Sequence, residues 1–312
     1  MDISVLVPTY NRPEDLERCL KAVYRQTHMP KEVIVTVRVD DDATHDLLAR
    51  LLPQLPQSPA ELILVDLHEP GVVQAMNKGI GVCTADIVAI TDDDAEPFPD
   101  WLERLRARFM ESNEVVGVGG RDLVYHNGTY QERKVKKVGK LLWYGKMIGN
   151  HHVGSGAPSD ADFLKGVNCA YRTDKLKAIG FEKRLLGKGA QVHWELVLGL
   201  ALRRMGGRLI YDPEIKVNHY EGKRHDVDQR QTFVHPVATK NMVHNETYAV
   251  LTHLKSLQIF VFFFWAVMFG TTASPGLVQI VRYLLKGKGS VVPRSVYCFQ
   301  GRVMGLQTWL KH

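Results

Sequence analysis

Short apolar runs and helical patterns alternate along the first 110 residues. ISVLVP reads as a buried strand, and EVIVTVRV (32–39), ELILVDL and DIVAIT read as the second, third and fourth strands. Between them lie stretches with helical spacing. Pro13, Glu14 and Asp15 open the first, with acidic residues at its positive end, and Leu16, Leu20 and Val23 supply its stripe. His45 to Leu52 reads as the second, before a Pro-rich loop at 53–59; GVVQAMNKGIGV reads as a turn and the third, and Trp101 to Phe109 as the fourth. This alternation predicts a mostly parallel α/β sheet flanked by helices and joined by right-handed crossovers.

Beyond residue 110 the pattern is less regular. EVVGVGG (114–120) predicts a further strand, residues 173–179 and 191–205 predict helices, and RLIYDPEIKVNH predicts a strand pair. From 121 to 165 no period dominates, and the basic–aromatic stretch ERKVKKVGKLLWYGK reads as a solvated face or mobile loop, or else as a lid or acceptor-binding loop. Residues 257–273, LQIFVFFFWAVMFGTTA, are almost wholly apolar, and their 17 residues sit at the short edge of what spans a bilayer. Pro275 and Gly276 break the run, and Lys255, Arg282, Lys286, Lys288 and Arg294 flank it on both sides. Charge at both ends gives no orientation for a single crossing, so an interfacial or re-entrant hairpin is expected, with a span and a buried helix as alternatives.

Composition narrows the class. The 312 residues are 45% hydrophobic and 24% charged, enough for a sizeable core in one large domain or two smaller ones. A net charge of +6 suggests an anionic partner such as a membrane surface, a phosphorylated substrate or nucleic acid. Cys19, Cys83, Cys169 and Cys298 show neither close pairs nor zinc spacing and are expected to be reduced, buried thiols. Asp2 leads straight into the first strand, so no signal peptide is expected ahead of it.

Two acidic triplets carry the chemistry. Asp40–Asp42 and Asp92–Asp94 each follow an apolar strand directly. In an open parallel sheet that position is the carboxyl rim, where ligands bind. Adjacent carboxylates repel one another and gain from a cation among them, and an oxygen-only ligand set suits Mg²⁺ or Mn²⁺. Together the triplets point to a metal–nucleotide site.

Six blocks in order make the sequence resemble the family 2 glycosyltransferases, inverting enzymes of the GT-A fold. They are SVLVPTYNRPEDLERCL, VIVTVRVDDDAT, GVVQAMNKGI, ADIVAITDDDAEPFPDWL, FLKGVNCAYRTDKLKAIGFE and HWELVLGLALRRMGGRLIYDPEIKVNH, within residues 2–222. The resemblance implies a GT-A catalytic domain over 1–222, followed by a helical, membrane-associated region over 223–312. It assigns the nucleotide sugar to Pro8, Thr9, Tyr10, Asp40, Asp41, Asn77, Asp92 and Asp93. Asp94 would bind Mg²⁺ or Mn²⁺, with Asp92 and His219 beside it.

The resemblance also implies a catalytic base. The family's Glu-Asp pair at the start of a helix falls on Trp194-Glu195, making Glu195 the matching carboxylate, with Trp in place of Glu and Glu in place of Asp. The usual Ala-Arg-Asn is Ala75-Met76-Asn77, and no QxxRW is found after the base, which argues against a processive synthase. The expected activity is transfer of a sugar from a nucleotide-sugar donor to a lipid-linked or glycan acceptor, on the cytoplasmic face of a membrane, with no nucleic-acid partner. Two alternatives are a catalytically silent assembly subunit, suggested by the altered pair, and a nucleotide-sugar-forming nucleotidyltransferase. PTYNRPED lacks the glycine-rich phosphate loop that the latter requires.

Overall fold

The computed structural model describes residues 1–55, 60–126, 129–130, 133–225, 227 and 235–311. Part of the expected Pro-rich loop, 56–59, lies outside these residues. The opening alternation forms as expected: β1 (Ile3–Pro8), α1 (Pro13–Val23), β2 (Glu32–Arg38), α2 (Asp42–Leu51), β3 (Glu61–Leu67), α3 (Val72–Val82) and β4 (Ile87–Ile90). These strands lie in the order β3-β2-β1-β4, all parallel. The crossover helices require this arrangement, since a parallel pair cannot be closed by a tight turn.

The second half widens the sheet. It supplies β5 (Ala95–Pro97), α4 (Trp101–Met110), β6 (Val115–His126), β7 (Thr129–Tyr130), the hairpin β8 (Lys140–Leu141) and β9 (Met147–Ile148), then β10 (Ser159–Ala161) and β11 (Cys169–Arg172). Next come α5 (Thr173–Ile179), α6 (Trp194–Arg204) and β12 (Arg208–His219). The main path runs β10-β12-β6-β11-β4-β1-β2-β3, with β11 antiparallel to both neighbours. The expected strand pair at 208–219 is one strand, β12, parallel to β6 on both sides of a register shift between Asp212 and Lys216. Pro213 has no N–H to donate, and the Asp212 carboxylate accepts the Glu214 N–H at 2.9 Å, so the chain bulges rather than reverses.

Alternation along the strands feeds two cores. Leu6, Ile34 and Val88 face one side with Met76, Tyr171 and Trp194; Val5, Val35 and Ala89 face the other with Leu20, Leu48 and Trp101. Both faces are covered, as a parallel sheet demands. The four cysteines are free and buried, as expected.

Beyond β12 the described residues form α7 (Pro236–His253), α8 (Ser256–Met268), α9 (Leu277–Leu284) and α10 (Val291–Leu310). Tyr248 to Leu251 of α7 and Phe262 and Ala266 of α8 join the same core as Trp194 and Tyr171. The outer side of these helices stays apolar: Leu257 is 72% exposed, Phe260 71% and Leu285 84%. Among the described residues no helix is long and apolar enough to cross a membrane.

Phe262 tests whether α8 is integral to this core. It is fully buried, and its ring lies against the backbone of Gly145. Phe262→Ala should lower unfolding stability by about 3–5 kcal/mol in a urea titration. A loss below about 1 kcal/mol would show that α8 is dispensable to the core.

Candidate functional site

The carboxyl ends of β1 and β4 lie side by side, bringing the first turn and the second acidic triplet together. After Pro8 the chain turns through Asn11, held at φ 54°, a left-handed conformation that asparagine tolerates better than most residues. This turn aims Thr9 and Arg12 back at the triplet. Thr9 Oγ1 donates to Asp93 Oδ2 at 2.7 Å, and the Arg12 guanidinium straddles Asp93 Oδ1 at 2.9 Å and Asp94 Oδ2 at 3.0 Å. The Gly222 N–H donates to Asp94 Oδ2 at 2.8 Å, so two segments far apart in sequence converge on one carboxylate oxygen.

Its other oxygen faces a different set. His219, the last residue of β12, places Nε2 3.4 Å from Asp94 Oδ1, and its Nδ1 lies 3.7 Å from Asp122 Oδ2. Among the described residues, Asp94 Oδ1 and both imidazole nitrogens are buried without a hydrogen-bond partner. Buried polar atoms are normally satisfied, so this cluster is arranged for something it does not itself supply. Asp92, Asp94 and His219 each offer a ligand atom, and the three atoms lie within 4.8 Å of one another. Two carboxylates and an imidazole fit a divalent cation of the Mn²⁺ or Mg²⁺ kind.

The electrostatics divide the triplet. Burial opposes charge on Asp94, yet His219, Arg12 and the Gly222 N–H hold its carboxyl well below the usual range. Burial pushes Asp93 up despite Arg12, and burial with Asp94 beside it pushes Asp92 up. Burial works to lower His219, but Asp122 and Asp94 raise it to about 9. A bound cation would reverse much of this pattern, because its charge would exceed any other in the site.

Pro8, Thr9, Tyr10, Asp92, Asp94, Glu195 and His219 all line one cleft of about 1390 Å³. That exceeds the roughly 300–1,000 Å³ usual for a single small ligand. The other expected nucleotide residues lie off its walls. Asp41 is fully buried, its Oδ2 taking the Asn11 N–H at 2.6 Å and its Oδ1 the Thr44 N–H at 3.1 Å as the cap of α2. Asp40 pairs with Arg38, whose guanidinium sits 4.5 Å over the Tyr10 ring, so it reaches the cleft only through Arg38. Asn77 donates to Phe181 O and accepts from Phe181 N–H, both at 2.9 Å, tying α3 to the segment after α5. Asp93 is fully buried under Arg12 and Thr9.

Glu195 reaches the cleft from the first turn of α6. This helix starts at Trp194, later than the expected 191, because Gln191 and His193 are held at positive φ, 40° and 75°. Gln191 is buried in that conformation: its side chain accepts the Val73 N–H at 3.0 Å and donates to Leu185 O at 2.9 Å. Trp194 packs edge-on against Phe181 and closes the core beneath the site. The Gly166 N–H donates to Glu195 Oε1 at 3.4 Å. A Cβ at Gly166 would stand 2.5 Å from the Trp194 ring, so only glycine lets the chain pass so close.

Three groups escaped the sequence reading. Arg12 lay inside a turn motif but carried no spacing signal. Asp122 lay at the start of the patternless stretch. Lys165 lies among Glu195, Asp122 and Asp92; burial works to lower its pKa, and these carboxylates outweigh burial and raise it. The cleft also extends past residue 222 to Lys223, Arg224, Val237 and Met242. Asn245 of α7 holds the rim in place, bonding the N–H and C=O of Leu186 at 2.8 and 3.0 Å.

The same architecture occurs in solved proteins. A mannosyltransferase from Pyrobaculum calidifontis, in complex with GDP-Man and Mn²⁺, superposes with a TM-score of 0.57 at 19% identity, covering 99% of this chain and 88% of that one. S. aureus TarS 1–349 with UDP-GlcNAc gives a TM-score of 0.63 at 14% identity, covering 99% and 89%. The curled, mostly parallel sheet flanked by helices is thus a GT-A fold. Among sequences, Glycosyltransferase AglE of Haloferax volcanii is 26% identical over 195 residues, which is 62% of this chain and 59% of that protein. A glucosyl-dolichyl phosphate glucuronosyltransferase of the same organism is 26% identical over 226 residues, covering 70% and 69%. Residues 4–180 match the family model described as Glycosyl transferase family 2, more than half of the chain. The chain belongs to glycosyl transferase family 2.

Proposed function

We propose that this protein is an inverting glycosyltransferase that passes a sugar from a nucleotide-sugar donor to a hydroxyl of a lipid-linked or glycan acceptor. One observation carries the reading: Asp92, Asp94 and His219, a group that could hold a divalent cation, and the Glu195 carboxylate open onto the same cleft, which is large enough for two substrates. Relatives add support, since one acts on a glucosyl-dolichyl phosphate and one structural neighbour was solved with GDP-Man and Mn²⁺. Asp92, Asp94 and His219 would hold Mg²⁺ or Mn²⁺, which supplies charge neutralisation for a departing diphosphate. Pro8, Thr9, Tyr10 and Arg38 would bind the nucleotide, with Asp40, Asp41, Asp93 and Asn77 fixing the segments that present it.

The chain's own part in the reaction is orientation and proton transfer. The acceptor oxygen attacks the anomeric carbon as the carbon–oxygen bond to the diphosphate breaks, and the bonding pair leaves with the nucleoside diphosphate. A single displacement inverts the anomeric centre. Glu195 takes the acceptor's hydroxyl proton on a carboxylate oxygen. The methylene that Glu has beyond Asp is accommodated because Gly166 presents only backbone to it. Lys165 balances the negative charge gathered by Glu195 and Asp92.

A catalytically silent subunit is the second reading, favoured only by the altered Trp194-Glu195 pair. Transfer and donor hydrolysis across a panel of nucleotide sugars with Mn²⁺ separate the two. Glu195→Gln should lower turnover by roughly 10²-fold or more while barely changing donor affinity. Asp94→Asn should abolish transfer, as should EDTA. Wild type without turnover on any donor would establish the silent reading. Full activity of Asp94→Asn, or in EDTA, would remove the metal from the mechanism.

The acceptor reading extends to location, at the cytoplasmic face of a membrane, with 223–312 as the membrane-associated region. Its support is the apolar outer side of α8 to α10 together with the charge pattern: from Lys255 to Lys311 the chain has seven Lys and Arg and no Asp or Glu. Each basic residue near an anionic surface contributes about 1 kcal/mol. The full chain should sediment with vesicles containing phosphatidylglycerol and detach partly in high salt. A protein that remains monomeric in solution and ignores such vesicles would end the membrane claim.

A further inference from the structure

The patternless stretch before the cleft contains a feature that the proposed reaction does not use. The hairpin of β8 and β9 projects a tight turn, Leu142–Lys146, closed by the Leu142 N–H to Lys146 O and the Gly145 N–H to Leu142 O, both at 2.8 Å. At its tip Trp143 is 61% exposed, although tryptophan normally buries most of its area. The turn is locked onto α8. Gln258 Nε2 donates to Trp143 O at 2.9 Å, and the Tyr144 ring meets Trp265 edge-on at 5.4 Å. A Cβ at Gly145, held at φ 86°, would fall 2.4 Å from the Phe262 ring.

The turn that carries Trp143 thus packs on α8, the helix that also carries the exposed Phe260 and Phe264. The charge of the segment leading into it matches. Residues 133–146 hold Arg133, Lys134, Lys136, Lys137, Lys140 and Lys146 and no carboxylate, and the first four of these are exposed. An exposed tryptophan at the tip of a hairpin, exposed cations in the segment leading into that hairpin, and a helix with exposed apolar side chains on which the hairpin packs suit the headgroup region of an anionic bilayer. The stem of the same hairpin reaches the active cleft: Met147, directly after Lys146, lines it, as do Gly149 and His151.

We propose that the 142–146 turn, led by Trp143, seats in an anionic lipid surface beside α8 and so holds the mouth of the cleft at the bilayer. This rests on the membrane reading above and adds a second contact that fixes orientation. A lipid-linked acceptor would then leave its tail in the surface contacted by Trp143 and present its hydroxyl past Met147. Trp143→Ala and the charge reversal Lys136→Glu/Lys137→Glu test it in the full chain. The probe is phosphatidylcholine vesicles with and without phosphatidylglycerol, some carrying brominated acyl chains. Wild-type tryptophan fluorescence should be quenched by brominated lipid, and Trp143→Phe should lose a distinct part of that quenching. Trp143→Ala should weaken vesicle binding by roughly 10-fold or more. Charge reversal should erase the preference for phosphatidylglycerol. Unchanged thermal midpoints confirm that the variants fold. If vesicle binding persists while none of these variants alters binding or quenching, the hairpin is not in the contact and only this inference falls. If wild type ignores vesicles, or buries Trp143 in a dimer of two chains, the membrane reading falls with it.

Discussion

A single buried carboxylate ties the carboxyl rim of the sheet together. Asp94 sits where three backbone segments would otherwise part: the turn after β1 through Arg12, the tail of β12 through His219, and the chain beyond it through Gly222. Placing a charge there is costly unless it is paired and hydrogen-bonded, and each contact answers that cost. Asp93 and Thr9 extend the same network inward. Removing Arg12 would thus do more than remove a surface charge, since it would leave two carboxylates buried side by side without the guanidinium they share.

The sequence exposes the half of the fold governed by simple periods. β1 to β4 are mostly apolar runs, and the strands followed by Asp40 and Asp92 announce the carboxyl rim by themselves. Direction of side chains is a different matter. Asp41 and Asn77 read as polar residues near a nucleotide, yet each spends its hydrogen bonds on the backbone of the scaffold. Nothing in a linear pattern distinguishes a side chain turned towards a ligand from one turned towards a neighbouring N–H.

α7 was hidden for a related reason. It buries His244, Asn245, Glu246 and Thr247 in succession, so it shows no apolar stripe. These polar groups are satisfied by distant partners: His244 meets Thr308, Asn245 meets Leu186 and Glu246 meets Arg302. Helix periodicity assumes that the buried side is greasy, and a helix held by a polar network violates that assumption. The hairpin of β8 and β9 was equally illegible, because two-residue strands have no period to detect. Its role depends on α8, more than 100 residues later, against which it is packed.

The shared core has a thermodynamic consequence. Phe262 and Ala266 of α8 belong to the same packed cluster as Trp194, the residue next to Glu195. A surface that covers the outer side of α8 and binds the folded chain more tightly than the unfolded one adds the difference in binding free energy to the fold by mass action. The seat of Glu195 is within reach of that increment. Attachment would then act as a ligand for the catalytic fold, and the detached enzyme would be the less stable form, with local opening near α6 more frequent. An apolar face that looks like an anchor would thereby also set how rigidly Glu195, the proposed proton acceptor, is held.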